Sequence, residues 1–304
     1  MDQASRKKLR SINDGPVLFD EPLDRYTSLK VGGRADALVF PQSVAALERT
    51  ILFFKEGGYP FLVVGNWTNL LVRDRGYRGA VIAMKDLCRI NWGHEDQDHI
   101  TVDVQAGVPL ADLVRLTAER ALTGMVFCAG IPGSVGGGVM MNAGAYGQEI
   151  KDVLYKATLM DDQAVVTDRL RKDLFFEYRR LNVPKGTIVL GAAFRLERGD
   201  PQSIGRRIDE ILDQRRQKHP LNYPSAGSIF KNPAGHPAGV LIEAAGLKGT
   251  AVGGARISEK HGNFIVNTGG ATASDILALI EQVQQEVLRQ TGIVLETEVR
   301  IVGE

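Results

Sequence analysis

The chain has 304 residues, 44% of them hydrophobic, and a net charge of +1. That length suits two or three domains with packed cores, and the near-neutral charge gives no reason to expect nucleic acid or an anionic membrane surface as a partner. No apolar run approaches the roughly 20 residues that span a bilayer, the charged first residues lack a signal-peptide core, and two isolated cysteines, Cys88 and Cys128, suit a reducing cytoplasm rather than a disulfide framework.

A helix is predicted over 44–56. Ser43 caps it, Val44, Leu47, Ile51 and Phe54 form its apolar stripe, and Gly57 ends it. A short buried strand follows at 61–64, then a polar turn, Gly65-Asn66-Trp67-Thr68-Asn69, leading into Leu70, Leu71 and Val72. Strands are expected at 80–83 and 101–106, and a helix from Pro109 to about Leu122, closed near Gly124. Further strands are expected at 154–160 and 187–196, and a helix near 203–217. The charge-rich stretch 201–218 is the best candidate for a domain crossing. A strongly amphipathic helix is predicted over 273–290, capped by Thr272 and ended by Gly292. The segment 293–302 alternates, with Ile293, Leu295, Thr297, Val299 and Ile301 on one face, which reads as a strand.

Residues 130–147 form the most unusual segment: Gly-Ile-Pro-Gly-Ser-Val-Gly-Gly-Gly-Val-Met-Met-Asn-Ala-Gly-Ala-Tyr-Gly. Glycine costs about 0.5–1 kcal/mol inside regular structure, so such a run implies close approach of bare backbone to something large or anionic. Val139, Met140 and Met141 argue against a solvated linker. The turns at 65–69 and 130–136 can both offer backbone amides, and two such loops suit a pyrophosphate. Neither has the P-loop pattern, and neither is a Gly-x-Gly-x-x-Gly opening a helix after a strand.

A third cluster runs Pro224-Ser225-Ala226-Gly227-Ser228-Ile229-Phe230-Lys231-Asn232-Pro233. It can hold Ser228 toward a ligand as nucleophile or proton donor, or simply form a turn. The flanks lack the Gly-x-Ser-x-Gly elbow of acyl transfer. Arg179 and Arg180 could clamp a carboxylate or phosphate by bidentate hydrogen bonds, or be surface charge. Glu296, Glu298 and Arg300 share the polar face of the last strand, which lies either in a cleft or in solvent. His94, His99, His219, His236 and His261 show no ligand spacing, and no metal is expected.

Taken together and in order, these motifs resemble the UDP-N-acetylenolpyruvoylglucosamine reductase family. The resemblance runs from Tyr26-Thr27-Ser28-Leu29-Lys30-Val31-Gly32-Gly33 to Glu298-Val299-Arg300-Ile301-Val302-Gly303. Its most specific parts are 130–137, 142–147, Gly227-Ser228 with Phe230-Lys231-Asn232-Pro233, and Ser258-Glu259-Lys260-His261. It implies an α+β FAD-binding fold of the vanillyl-alcohol-oxidase type, made of two α+β subdomains plus an α+β substrate-binding domain. The expected parts are 1–86, 87–200 completed by a C-terminal strand at 298–304, and 201–297.

The resemblance also implies non-covalent FAD, NADPH as co-substrate, and reduction of UDP-N-acetylenolpyruvoylglucosamine to UDP-N-acetylmuramate for peptidoglycan synthesis. The enzyme would be a monomer in the cytoplasm. Ser228 matches the family's proton donor, Glu298 the carboxylate beside the developing enolate, and Arg179 the arginine that pairs with the substrate carboxylate. Lys218 and Asn232 match residues that hold the uridine diphosphate, with Lys231 beside them as a further substrate contact and as a possible aid to Ser228. The flavin would lie against Gly65, Asn66, Trp67, Thr68 and Asn69, against Gly130, Ile131, Pro132, Gly133, Ser134, Gly136 and Gly137, and against Asn142, Ala143, Gly144 and Tyr146.

A glutamate beside an enolate must be protonated or hydrogen-bonded, because an ionised one repels. Glu298 fits better than Glu296 because it directly precedes Val299-Arg300-Ile301.

Two positions depart from the family pattern. Trp67 stands where a glycine is usual, so a positive φ there would cost about 1–3 kcal/mol unless the loop is reshaped with the indole near adenine or ribose. Leu181 stands where serine is frequent, removing part of a polar support. The short step from Arg179 to Ser228 matches the family's compact type, without an extra substrate loop. Two alternatives are another flavin oxidase or dehydrogenase of the same fold and a non-catalytic flavin or nucleotide-sugar binding protein.

Overall fold

Ser43 accepts the amide of Ala46, Gly57 follows the last turn, and between them Val44–Glu56 is helical, with Leu47, Ile51, Phe53 and Phe54 buried. Its apolar face meets a sheet whose strands lie in the order Val17–Pro22, Arg34–Val39, Tyr77–Ala83, Phe61–Val64. The last two are parallel, with Phe61 opposite Ala80 and Val64 opposite Ala83.

These elements come from a computed structural model that describes residues 1–95 and 99–304, the side chain of His94 excepted. The chain falls into two compact units. The first is Met1–Phe19, Ala37–Asn66 and Gly79–Asp213, and the second is Asp20–Asp36, Trp67–Arg78 and Gln214–Glu304.

The first unit holds another sheet, in the order Val166–Leu170, Leu154–Met160, Ile188–Glu197, His99–Gln105, Ile90–Glu95, antiparallel throughout. Along His99–Gln105 the residues alternate between half-buried and buried, the period-two pattern of a sheet with one covered face. Val102, Phe194, Leu113 and Val139 are among the residues filling that core. The helix Leu110–Glu119 begins after Pro109, close to expectation, but ends before Leu122.

In the second unit the sheet order is Ser225–Ser228, Phe264–Asn267, Ala255–Ile257, Ala251–Val252. The helix Ala273–Thr291 packs on it through Ile276, Leu279, Ile280 and Val283. Thr272 and Asp275 form a capping box at its start, and Gly292, at φ 72°, closes it in the left-handed conformation.

Two expectations about the last third need correction. The C-terminal strand does not complete the sheet within 87–200: Arg300–Val302 runs parallel to Leu70–Val72 inside the second unit. The period-two stretch 293–302 keeps its faces, with Leu295 and Val299 buried, but only Arg300–Val302 is a strand. Alternation records which face is buried; a continuous strand also needs an uninterrupted ladder, which here forms only over the last three residues. The charged helix spans Pro201–Lys218 without a break, and the division between units falls inside it at 213/214 rather than at 200/201. Among the described residues, no helix is long and apolar enough to cross a membrane.

Candidate active site

In the first unit, strand Phe61–Val64 delivers Gly65, and Gly65 meets the glycine run directly. A Cβ built on Gly65 would lie 2.2 Å from Ser134 Oγ, which no side chain tolerates. Ser134 is buried, and its Oγ accepts the amide of Gly137 at 3.4 Å. The two polar turns expected to act together are therefore in contact at Gly65 and Ser134.

Part of the run is helical, over Val135–Met140, which low glycine propensity hides. A Cβ on Gly136 would come 2.7 Å from that of Ala106, so glycine lets this turn press onto the strand end. The amides of Val135 and Gly136 donate to the carbonyls of Val108 and Ala106. Those two N–H groups hold the turn itself. Gly137 faces only the Ser134 hydroxyl, so bare backbone is left beside Gly65. A stripped, polar cradle of this kind fits a flat dinucleotide cofactor such as FAD. Tyr146 is 44% exposed at φ 56°, and the Arg207 guanidinium lies 5.9 Å over its ring.

Asn142 has a different setting. It is fully buried at φ 43°, and its carboxamide faces protein. Nδ2 donates to Glu149 Oε2 at 3.0 Å and to the Glu177 carbonyl at 3.1 Å, while Oδ1 accepts the amide of Lys151 at 3.2 Å.

Arg179 sits in a hairpin. Phe175–Glu177 pairs with Arg180–Asn182, Glu177 opposite Arg180, so Tyr178 and Arg179 form the two-residue turn. Arg179 has φ 59°, a conformation that favours glycine or asparagine. Its Nη2 donates to the Gly144 carbonyl at 3.2 Å, and its guanidinium lies 4.7 Å from the centre of the Tyr178 ring. Leu181 is 2% exposed, opposite half-buried Phe176. The family's serine is thus replaced by an apolar anchor that roots the hairpin in the core.

In the second unit, the segment 228–231 lies along 296–298. Glu298 donates its amide to the Ile229 carbonyl at 2.7 Å, and Lys231 donates to that of Glu296 at 2.9 Å. Phe230 and Thr297 form an antiparallel bridge. Ser228 and Glu298, 70 positions apart in the sequence, are therefore held within one residue of register. Gly227, at φ 74°, lies in a bulge that breaks the pairing with Phe264–Asn267 just before Ser228. Bulges re-aim side chains, and this one precedes the candidate proton donor.

Behind the segment, buried Asn263 donates to the Phe230 carbonyl at 2.8 Å and accepts the Phe230 amide at 2.9 Å. Asn69 donates its side-chain amide to the Glu298 carbonyl at 3.0 Å and accepts the Arg300 amide on its own carbonyl.

Trp67 adopts φ 57°, the left-handed conformation that a glycine would take without strain. The indole is 7% exposed and packs on Tyr26 with ring centres 5.6 Å apart. Ser28 donates its amide to the Trp67 carbonyl at 3.3 Å.

Ser228 lines a pocket of about 240 Å³ with Asn232, Lys260, His261 and Asn263. Asn232 Oδ1 accepts the amide of Ala238 at 2.9 Å, at the start of the helix Ala238–Ala244. Lys218 is exposed at the end of its helix. Lys231 is committed elsewhere: its Nζ bonds Glu296 Oε2 at 3.1 Å. The same pair leaves Glu296 on the surface, its side chain 72% exposed, while Glu298 is half-buried.

His261, unassigned by sequence reasoning, borders this pocket and packs on His219 and Phe264. Burial, then the charges of Arg215, His261, Lys218 and Lys260, lower the His219 pKa to about 4. His261 is also lowered, by burial and then Lys248. The Ser258-Glu259-Lys260-His261 motif was the available signal. No set of three His, Cys, Asp or Glu side chains converges as a metal site among the described residues.

Known proteins resemble this chain along its whole length. Residues 35–168 match a profile described as an FAD binding domain. Residues 219–302 match one described as the UDP-N-acetylenolpyruvoylglucosamine reductase C-terminal domain. The UDP-N-acetylenolpyruvoylglucosamine reductase of Syntrophus aciditrophicus is 52% identical over 299 residues, covering 98% of this chain and 96% of the relative. The one from Pediococcus pentosaceus is 45% identical over 95% of both chains. The crystal structure of the Thermus caldophilus reductase superimposes with a TM-score of 0.81 at 35% identity, covering 95% of this chain and 98% of that one. The expected α+β FAD-binding fold is therefore the fold of this chain.

Proposed function

Belonging as it does to the UDP-N-acetylenolpyruvoylglucosamine reductase family, the chain is an FAD-dependent oxidoreductase of peptidoglycan synthesis, and we propose that Ser228, Glu298 and Arg179 carry its substrate chemistry with NADPH as electron donor. This membership replaces both the oxidase and the non-catalytic reading. Its substrate is the enolpyruvyl ether of a UDP-sugar, and the product is UDP-N-acetylmuramate. The protein acts as a monomer in the cytoplasm.

The flavin lies against Gly65, Asn66 and the 130–137 turn of the first unit, where Gly65 and Ser134 meet. FAD, when bound and reduced, supplies a hydride to the β-carbon of the enolpyruvyl group. The residues of the chain handle everything else. Arg179 pairs with the substrate carboxylate and offsets the charge that grows on it; arginine stays protonated and suits that task. Ser228 gives its hydroxyl proton to the α-carbon. A serine hydroxyl is a weak acid, so it acts only where its aim is fixed and neighbours support it. Glu298, held one residue of register away, stands beside the developing enolate. Lys218 and Asn232 hold the diphosphate. Lys231 braces Glu296, and its part in binding is secondary.

The observation that carries this reading is the backbone register placing Ser228 next to Glu298, through the Glu298 amide on the Ile229 carbonyl. The test is Ser228→Ala. The purified variant should keep its flavin absorbance and its reduction by NADPH, yet lose about 10²–10⁴-fold in substrate turnover. Undiminished turnover would remove Ser228 from the reaction.

A further inference from the structure

The carboxamide of Asn142 bonds protein groups through both its nitrogen and its oxygen, and one of those bonds reaches the base of the Arg179 turn. We propose that Asn142 is a positioning residue for Arg179, so that its carboxamide sets the rate of the substrate half-reaction and not the handling of the flavin. The inference rests on the role given to Arg179 above.

The geometry runs as a closed loop. Asn142 donates to the Glu177 carbonyl, two residues before Arg179. Its other donor bond reaches Glu149, which pairs with Gly144 in a short antiparallel ladder. The Gly144 carbonyl in turn accepts from Arg179. One buried side chain thus fixes both the base of the Arg179 turn and the strand that receives its guanidinium. Two of the residues, Asn142 at φ 43° and Arg179 at φ 59°, hold left-handed conformations that L side chains rarely adopt. Such backbone persists only where surrounding bonds over-determine it. An apolar side chain in place of the carboxamide would supply neither the two donors nor the acceptor.

The test uses the FAD-loaded enzyme and a double-mutant cycle. Asn142→Ala should lower kcat for the enolpyruvyl substrate by about 10²-fold, the scale of a misplacement near 1 Å, and leave the rate of flavin reduction by NADPH unchanged. In an Arg179→Ala background, the same substitution should cost less than about twofold, because groups acting as a unit are not additive. Equal losses in both backgrounds overturn the inference, as does a slower flavin reduction. If Arg179→Ala alone leaves turnover intact, the role of Arg179 falls and the inference with it. Should Asn142→Ala fail to fold, Asn142→Asp keeps the size and the acceptor for Lys151 but removes the donor to Glu177. Amide exchange across 177–180 should then quicken in step with the loss of kcat. Unchanged exchange with lowered kcat overturns the positioning role.

Discussion

The residues proposed to carry the substrate chemistry are held on different principles in the two units. In the first unit, Arg179 is aimed through side chains: the Asn142 carboxamide below its turn, the Tyr178 ring beside it and its own guanidinium on the Gly144 carbonyl. In the second, Ser228 and Glu298 are aligned by main chain, through the amides of Glu298 and Lys231 on the opposite segment. Main-chain register survives almost any substitution, whereas a side-chain clamp fails with one. The first region should therefore respond strongly to mutation at Asn142, which touches nothing reactive, whereas in the second the comparable supports are the Asn263 and Asn69 side chains that brace an already paired main chain.

The largest effect expected within this contrast separates the two strand glutamates. Glu298→Gln leaves the register bond intact because that bond uses the amide. Turnover should nevertheless fall by about 10²-fold, the loss of one positioned acid–base group. Glu296→Gln removes only an exposed ion pair with Lys231, worth about 0–1 kcal/mol, and turnover should stay within about threefold. Steady-state rates of the two variants decide it, and the reverse order would reassign the carboxylate.

Elements with their own caps and stripes were legible in the sequence. Ser43 and Gly57 bracket one helix, and Thr272 and Gly292 another, each within a residue of expectation. Strands 61–64 and 154–160 were legible from their apolar runs. The helix inside the glycine run was not, because Gly136 is there to admit Ala106, and that need is tertiary. The types of the site residues could be read from motifs, but their supports could not. Asn142 and Asn69, expected as cofactor contacts, also tie protein segments together through their side chains. Lys231, expected as a substrate contact, also pairs with exposed Glu296. These partners lie tens to hundreds of positions away, beyond any local pattern.

Trp67 is another place where the second region depends on a side chain. Its backbone at φ 57° is strained by about 1–3 kcal/mol, which glycine would relieve. Its indole is buried against Tyr26, and removing a buried Trp costs about 3–5 kcal/mol. Packing outweighs strain, so Trp67→Gly should lower the free energy of unfolding by about 2 kcal/mol, read from the urea midpoint. A stabilised variant would mean that the indole contributes less than its burial suggests.

The smallest effect concerns pH and belongs to the second region alone, where His219 packs on pocket-lining His261. The folded pKa of His219 is about 4, below the ordinary 6.5. Between those values the unfolded chain binds a proton that the folded one refuses, so stability rises with pH across that window. The contribution is complete above about pH 6.5 and is lost as pH falls toward 4. Burial is the main cause, and Arg215, Lys218, Lys260 and His261 add repulsion toward a proton there. Lowering the pH from 7.5 to 5.5 should cost about 1 kcal/mol through this residue, after allowing for its partial exposure. Urea unfolding at the two pH values should show His219→Gln losing correspondingly less than the parent. An equal loss in both proteins would place the sensitivity elsewhere, with the lowered His261 next to be replaced.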